Sequence, residues 1–240
     1  MAEIRARYER VLESIESAAR SAGRAADSVR LVTVTKTHPR ETVRAAIDAG
    51  VRDLGENYAE EAAAKITAIG PMPGLRWHMI GHVQSRKADL VAAHFDMLHS
   101  LDSLKLAQRL NRFAGEAGRK LPVLFEVNVS GEESKFGYPA FDLPQWEALR
   151  AEVEQVLALP NLEIRGLMTM PPFADVPEQS RPFFRKMRAL QEYLSRQFPP
   201  GSWDELSMGT SADFTVAVKE GATLVRVGTA ILGARQYPGG

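Results

Sequence analysis

Lys36 is the residue whose type and position most directly indicate covalent chemistry. It ends an apolar and β-branched run, Leu31 to Thr35, that is typical of a buried strand. Because side chains alternate along a strand, Val32, Val34 and Lys36 are expected on one face. A lysine that is desolvated at the end of such a strand can lose its proton, attack a carbonyl group and form a Schiff base. The alternative is a lysine that extends from the strand end into solvent.

Two short segments carry residues that are typical of a phosphate site. Gly209, Thr210 and Ser211 stand before a predicted helix, and Gly228 and Thr229 follow the last predicted strand. Backbone N–H groups at the start of a helix favour an anion, and the hydroxyl groups add donors. Each segment alone is equally typical of a helix cap or a turn. Together they predict one phosphate-binding site.

Arg226 shares a strand face with Leu224 and Gly228, so its guanidinium is expected to point inward. A buried guanidinium needs an acceptor or an anion, which is either a ligand or a strand-end carboxylate such as Glu56. A reactive lysine, a phosphate site and an arginine together indicate a phosphorylated carbonyl compound. Two ligands fit that description, namely pyridoxal 5′-phosphate (PLP) held as an imine and a sugar phosphate handled by a Schiff-base aldolase.

The other candidate residues carry weaker signals. His78 and His82 have a spacing of four, which suits a metal on a helix, but the segment has the pattern of a strand. No metal site is therefore expected. Lys135 is a competing amine in a loop that is expected to be exposed, and Tyr58 and Trp77 are expected to pack.

Eight strand signals alternate with helical or capping segments along the chain. The predicted strands cover residues 31–35, 51–54, 76–80, 97–100, 121–129, 164–168, 205–208 and 223–227. Eight such units in about 200 to 250 residues predict a single (β/α)8 TIM barrel over residues 1–240, and an extra helix over 3–20 precedes it. An open doubly wound sheet is disfavoured because no G-x-G-x-x-G follows the first strand. A barrel places its site at the C-terminal ends of the strands, where the residues above lie.

Composition excludes several classes of protein. The 240 residues include 30 Lys and Arg, 30 Asp and Glu and no cysteine. Disorder, disulfides and thiolate chemistry are therefore excluded, and a broad nucleic-acid surface is disfavoured. The charged N-terminus and the lack of a long apolar run predict no signal peptide and no membrane span, so a cytoplasmic protein is expected. Because the barrel is expected to be complete in one chain, we expect a monomer.

Seven segments, in order along nearly the whole chain, resemble the YggS/PROSC family of pyridoxal phosphate homeostasis proteins. They are VTVTKTHP (32–39), LGENYAEE (54–61), WHMIGHVQSRK (77–87), LHSLDS (98–103), VNVSGEESKFGY (127–138), RGLMTMPP (165–172) and LSMGTSADFTVAVKEGATLVRVGTAILG (206–233). The resemblance implies a barrel similar to the N-terminal domain of alanine racemase, the fold of type III PLP proteins. The whole chain, 1–240, would then be one PLP-binding domain.

The resemblance also implies a set of PLP-binding residues. Lys36 would hold PLP as a Schiff base, and Arg226 would lie beside the pyridine nitrogen. The remaining members would surround the phosphate (Ser207, Gly209, Thr210, Ser211, Gly228 and Thr229) or lie near the ring (Asn57 and Met168). Thr35 stands where many members have Ser, and Thr210 stands where Met is common. Thr210 is nevertheless expected to contribute a backbone N–H.

The implied function is PLP binding in vitamin B6 and amino-acid homeostasis without catalytic turnover, with PLP-dependent apoenzymes as candidate recipients. An arginine at the pyridine nitrogen keeps that nitrogen unprotonated, which makes the ring a weaker electron sink. Racemisation also needs a second acid–base residue, which alanine racemases take as a tyrosine from an extra β-domain that is not expected here. The alternative is a small PLP-dependent racemase or lyase, for which Tyr58, His82 and Tyr138 are the nearest candidate bases.

Overall fold

The computed structural model of the protein describes residues 2–198 and 203–234. The predicted domain limits at residues 1 and 240 lie outside these residues. The strands are β1 (Arg30–Val34), β2 (Asp53–Glu56), β3 (Arg76–Met79), β4 (Met97–Leu101), β5 (Leu121–Asn128), β6 (Tyr138–Pro139), β7 (Leu162–Met168), β8 (Glu205–Thr210) and β9 (Leu224–Val227). The helices are α1 (Ala2–Ser21), α2 (Arg40–Asp48), α3 (Ala59–Ile69), α4 (Ala88–His94), α5 (Leu104–Glu116), α6 (Leu143–Leu157), α7 (Arg181–Gln197), α8 (Phe214–Lys219) and α9 (Thr229–Leu232).

Eight parallel strands close into a barrel in the order β4, β3, β2, β1, β9, β8, β7 and β5, and pairing of β4 with β5 completes the ring. The predicted (β/α)8 barrel with an extra N-terminal helix is thus confirmed. The short strand β6 was not predicted, and it pairs with the last two residues of β5. β2 begins at Asp53 rather than at the predicted Val51, which is buried in the preceding loop.

The core has two layers, as expected for a barrel surrounded by helices. Inside the barrel, one apolar cluster joins five strands and consists of Val32, Met97, Leu124, Met168 and Leu224. A larger apolar cluster fills the space between the strands and the helices. Each fully buried side chain in these clusters contributes roughly 1.5–3 kcal/mol of transfer free energy, so both clusters stabilise the barrel that carries the loops. Within residues 2–198 and 203–234, none of the helices has the length and apolar composition that crossing a membrane requires.

Candidate functional site

A cavity of about 820 Å³ opens at the C-terminal ends of the strands, within the size range of small-molecule sites. Seven of the ten predicted binding residues line it. They are Lys36, Asn57, Thr210, Ser211, Arg226, Gly228 and Thr229. They come from β1, β2, β8 and β9 or from the loops that follow these strands, and those four strands are adjacent in the barrel.

The other three predicted residues do not line the cavity. Met168 belongs to the apolar cluster inside the barrel, and Ser207 is fully buried. Gly209 has a φ of 92°, and a Cβ atom there would lie 2.6 Å from the Cβ atom of Ala217. The glycine is therefore required by the close approach of β8 to α8.

Lys36 lies two residues beyond the end of β1, in the turn that leads to α2. The next residue, Thr37, has a φ of 63°, which is a strained backbone conformation for a β-branched residue. The Thr37 N–H donates to Oε1 of Glu61 at 3.0 Å, and the Thr35 N–H donates to the Gly55 carbonyl oxygen at 2.9 Å. Hydrogen bonds on both sides of Lys36 thus fix the backbone that presents its amine to the cavity.

A second lysine, which the sequence analysis did not identify, supports this turn from below. Lys65 of α3 is buried, and its Nζ atom donates to the Thr35 carbonyl oxygen at 3.0 Å and to Oε1 of Glu56 at 2.9 Å. Nζ also lies 2.6 Å from Oε1 of Glu61. Burial raises the pKa of Glu56, while Lys65 and the Thr35 hydroxyl act in the opposite direction. The carboxylate of Glu56 is therefore bound to Lys65, so the alternative of an ion pair between Glu56 and Arg226 is wrong.

Arg226 is buried at the base of the cavity and is held by three acceptors. One guanidinium nitrogen donates to Oγ of Ser207 at 2.5 Å, and another donates to the Thr169 carbonyl oxygen and to Sδ of Met170, each at 2.9 Å. Burial lowers the pKa of Arg226 to about 10, and Glu126 and Asp213 act in the opposite direction. The guanidinium therefore keeps its charge at neutral pH and acts only as a donor.

A chain of hydrogen bonds runs from Arg226 through the barrel interior. Ser207 Oγ lies 2.8 Å from Nδ1 of His99, and His99 Nε2 lies 2.9 Å from Nδ1 of His78. His78 Nε2 lies 2.8 Å from Oδ1 of Asp53. Burial lowers the pKa of His99 well below its usual range, so this ring is neutral. With His99 neutral, all the hydrogen bonds of the chain can run in the same direction. Arg226 donates to Ser207, Ser207 to His99, His99 to His78, and His78 to the Asp53 carboxylate.

His78 and His82, the pair with a metal-ligand spacing in the sequence, do not face a common point in the structure. The two rings have different partners, since His78 contacts His99 and Asp53 whereas Nδ1 of His82 lies 2.8 Å from Oδ2 of Asp102. Among the described residues, no three His, Cys, Asp or Glu side chains are grouped so that they could hold a metal ion.

The two predicted phosphate segments meet at the cavity. The Gly228 N–H donates to the Ser211 hydroxyl oxygen at 3.3 Å, which joins the loop after β9 to the loop after β8. Thr210 differs from its prediction, because both its N–H and its hydroxyl donate to Oδ1 of Asp213, at 2.7 and 3.1 Å. The expected backbone donor of Thr210 is therefore already used.

The residues present fit PLP as a ligand. Lys36 supplies an amine, Arg226 supplies a fixed and charged donor for a pyridine nitrogen, and Ser211 and Thr229 supply hydroxyl groups, all on one cavity. Lys135, the competing amine, is not among the residues that line this cavity.

The three candidate bases occupy different positions. Tyr58 lines the cavity but is exposed, which contradicts its expected packing role, and His82 lines the cavity at its rim. Tyr138 is buried against Phe125 and is absent from the cavity lining, and burial raises the pKa of its hydroxyl. The sequence analysis missed Glu126, a buried carboxyl group that does line the cavity.

Residues 11–236 match the family model of the alanine racemase N-terminal domain. A pyridoxal phosphate homeostasis protein of Pseudomonas aeruginosa is 45% identical over 229 residues, which cover 95% of this chain and 94% of that protein. One from Aquifex aeolicus is 40% identical over 231 residues, which cover 96% and 98%.

Solved structures give the same result for the fold. PipY of Synechococcus elongatus, whose structure has been solved with PLP bound, is 40% identical with a TM-score of 0.78 and covers 86% of this chain and 93% of its own. Alanine racemase of Streptomyces coelicolor is 19% identical with a TM-score of 0.72, and the match covers 96% of this chain and 57% of the racemase. The chain belongs to the family of the alanine racemase N-terminal domain and, within it, to the pyridoxal phosphate homeostasis proteins.

Proposed function

We propose that the protein binds PLP at the mouth of the barrel and serves PLP homeostasis. The observation that carries this proposal is the cavity on which Lys36 and Arg226 meet the joined loops of Ser211 and Gly228. The names of the relatives and the PLP-bound structure of PipY support the same ligand. A sugar phosphate remains the weaker candidate, because no relative named above is an aldolase.

Each residue has a distinct role in this proposal. Lys36 holds PLP as a Schiff base, and the hydrogen bonds around Thr35 and Thr37 fix the direction of its amine. Arg226 donates to the pyridine nitrogen because its acceptors at Ser207 and Thr169 hold it in place. Of the predicted phosphate residues, Ser211 and Thr229 act directly through their hydroxyl groups. Thr210 shapes the loop through its bonds to Asp213, and Ser207 acts through Arg226.

We further propose that PLP is held without catalytic turnover. When bound, PLP supplies an electron-accepting ring, and a guanidinium at its nitrogen weakens that property. Transfer to PLP-dependent apoenzymes, a monomeric state and a cytoplasmic location stay predictions. The absence of turnover is tested by incubating the loaded protein with α-deuterated amino acids. Loss of deuterium at enzyme-like rates would refute it.

The test of PLP binding is an absorbance spectrum of the purified protein, followed by borohydride reduction and mass mapping. We expect an imine band that is trapped on Lys36 and is absent from Lys36→Ala. The matched control is Lys135→Ala, which removes the competing lysine outside the cavity and should keep the band. A parent protein that stays colourless after addition of PLP would refute the proposal, and phosphorylated sugars would then be tested.

A further inference from the structure

The cavity has two walls with different chemistry. The residues proposed to bind PLP come from four adjacent strands, β2, β1, β9 and β8. The opposite wall is formed by residues of β3, β5 and β7 or of the loops that follow them, and β5 stands directly across the barrel from β1. Glu126 of β5 therefore faces the side of the cavity that carries Lys36, and His82 and Phe136 lie on the same wall. The cavity of about 820 Å³ lies near the upper end of the range for small-molecule sites, so it has room for a second ligand beside PLP.

Glu126 is a buried carboxyl group with one oxygen unpaired among the described residues. The residue is only 8% exposed, and among the described residues its Oε2 atom is enclosed and has no hydrogen-bond partner. Leaving a buried carboxyl oxygen unpaired costs free energy, and a ligand donor recovers it once the carboxyl group turns this oxygen toward the cavity that Glu126 lines. The loop after β5 packs closely against Glu126 at Gly137. A Cβ atom at position 137 would lie 2.7 Å from the Glu126 carbonyl oxygen, so only glycine permits this approach.

The charges near Glu126 favour a ligand that donates hydrogen bonds and carries positive charge. The pKa of Glu126 is raised to about 7, chiefly by burial and next by the carboxylate of Asp102, while Arg226 acts in the opposite direction. Arg226 itself donates to Ser207 and Thr169 instead of forming a hydrogen bond with Glu126. Asp102 does not line the cavity, but its negative charge acts on Glu126 and disfavours a carboxylate or phosphate beside it. An ammonium group would instead form a charge-assisted hydrogen bond with Glu126.

Large apolar side chains are exposed at the rim of the cavity, where they can contact the apolar part of a ligand. Phe136, Met170 and Phe173 line the cavity and are 60, 45 and 84% exposed, which is unusual for such large apolar side chains. Phe136 stacks on His82 with the ring centroids 4.2 Å apart, so its ring has a defined position at the rim. These side chains come from the loops after β5 and β7, on the same wall as Glu126.

We propose that the β5 wall of the cavity binds a primary ammonium compound with an apolar body, and that its ammonium group donates hydrogen bonds to Glu126. This inference rests on the proposed function, since PLP occupies the opposite wall. The protein thus holds its cofactor next to a site for amines, the chemical class that reacts with the PLP aldehyde.

The test is a calorimetric titration of the full-length protein with 3-methylbutylamine. PLP is first fixed by borohydride reduction, so that the added amine cannot react with it. We expect saturable binding to the parent, affinity at least tenfold lower in Glu126→Gln, and no detectable binding of 3-methylbutanol, which has the same carbon chain without the charge. Glu60→Gln is the matched control, because it removes a carboxylate from the exposed rim of the same cavity.

Several outcomes separate this inference from the proposed function. Equal affinity of the parent and Glu126→Gln for the amine, or equal affinity of the parent for the amine and the alcohol, would refute the ammonium site. The ammonium site would also be refuted if the parent bound no amine and the Glu126→Gln variant retained less PLP. That result would identify Glu126 as a contact of PLP. If Glu126→Gln does not fold, Phe136→Ala in the folded parent should weaken 3-methylbutylamine but not methylamine. Failure to trap PLP on Lys36 refutes the proposed function alone, and the calorimetric titration still reports amine binding.

Discussion

Replacing Lys65 with methionine removes the cation that compensates a buried carboxylate beneath Lys36. Glu56 is completely buried, and its Oε1 atom accepts from Lys65 Nζ at 2.9 Å and from the Thr35 hydroxyl at 2.7 Å. Its Oε2 atom has no hydrogen-bond partner among the described residues. Lys65 and the Thr35 hydroxyl are the two groups that stabilise the charged form of Glu56. In Lys65→Met, the Thr35 hydroxyl remains and the compensating cation is lost.

Removing one partner of a buried ion pair leaves an uncompensated charge and destabilises a protein by about 3–5 kcal/mol. We expect a loss of this size in the free energy of unfolding of Lys65→Met at pH 8. The pKa of Glu56 is already raised by burial, and loss of Lys65 raises it further. Because a raised carboxyl pKa favours the fold at low pH, the loss should shrink as the pH falls and Glu56 becomes protonated.

The assay is urea unfolding followed by tryptophan fluorescence at pH 8 and pH 5. Lys87→Met is the matched control, because Lys87 forms an ion pair with the exposed Glu60 at the rim of the cavity. A pair of this kind contributes about 0–1 kcal/mol. Combining Lys65→Met with Glu56→Gln should recover part of the loss, since no buried charge then remains. A loss below 1 kcal/mol in Lys65→Met at pH 8 would refute the reasoning.

Two further predictions concern the cavity and the hydrogen-bond chain below it. The fold raises the pKa of Glu126 from 4.5 to about 7, so its stabilising contribution is full below pH 4.5 and is lost as the pH rises through 7. In urea unfolding, Glu126→Gln should remove a pH-dependent loss of about 3 kcal/mol, and identical pH profiles would contradict this. Ser207→Ala removes an acceptor of Arg226 and the donor to His99, which should cost about 1–3 kcal/mol and shift the absorbance of bound PLP. An unchanged thermal midpoint and spectrum would contradict this role.

The order of the elements could be predicted because each signal is local. The alternation of side chains along β1 and the helical spacing in α1 depend on residues that are close in sequence. The strand at Asp53 was predicted two residues too early, because the buried Val51 has the same apolar character as a strand residue. Strand β6 has only two residues and is fixed by its pairing with β5, which no local pattern records.

The residues that line the cavity could be predicted because parallel strands end at the same edge of a barrel. Lys36, Asn57 and Arg226 were predicted as binding residues from their positions at strand ends and from the family resemblance, and all three line the cavity. Their supporting contacts could not be predicted, because Lys65 reaches Thr35 across 30 positions of sequence and His99 reaches Ser207 across 108. Such contacts depend on the register of the barrel.

Glu126 and Thr210 show what a closer sequence analysis could and could not have found. Glu126 stands in the run Leu-Phe-Glu-Val-Asn, where a charged residue on an otherwise buried strand was the available signal. The error at Thr210 has a different cause. Asp213 stands three residues later, a spacing that also suits a local side-chain bond to the backbone, and that bond uses the donors assigned to a ligand.

The contacts of Arg226 explain why Arg226 and Glu126 can face the same cavity without forming a direct ion pair. Arg226 and Glu126 both line the cavity, and a direct ion pair between them would remove both groups from binding. Ser207 and the Thr169 carbonyl hold the guanidinium on the β9 side, and the chain through His99 and His78 ends at the Asp53 carboxylate. The barrel interior thus fixes the position of the guanidinium, and the charges of Glu126 and Asp213 favour its charged form. The carboxyl group on β5 keeps its hydrogen-bonding capacity for a ligand.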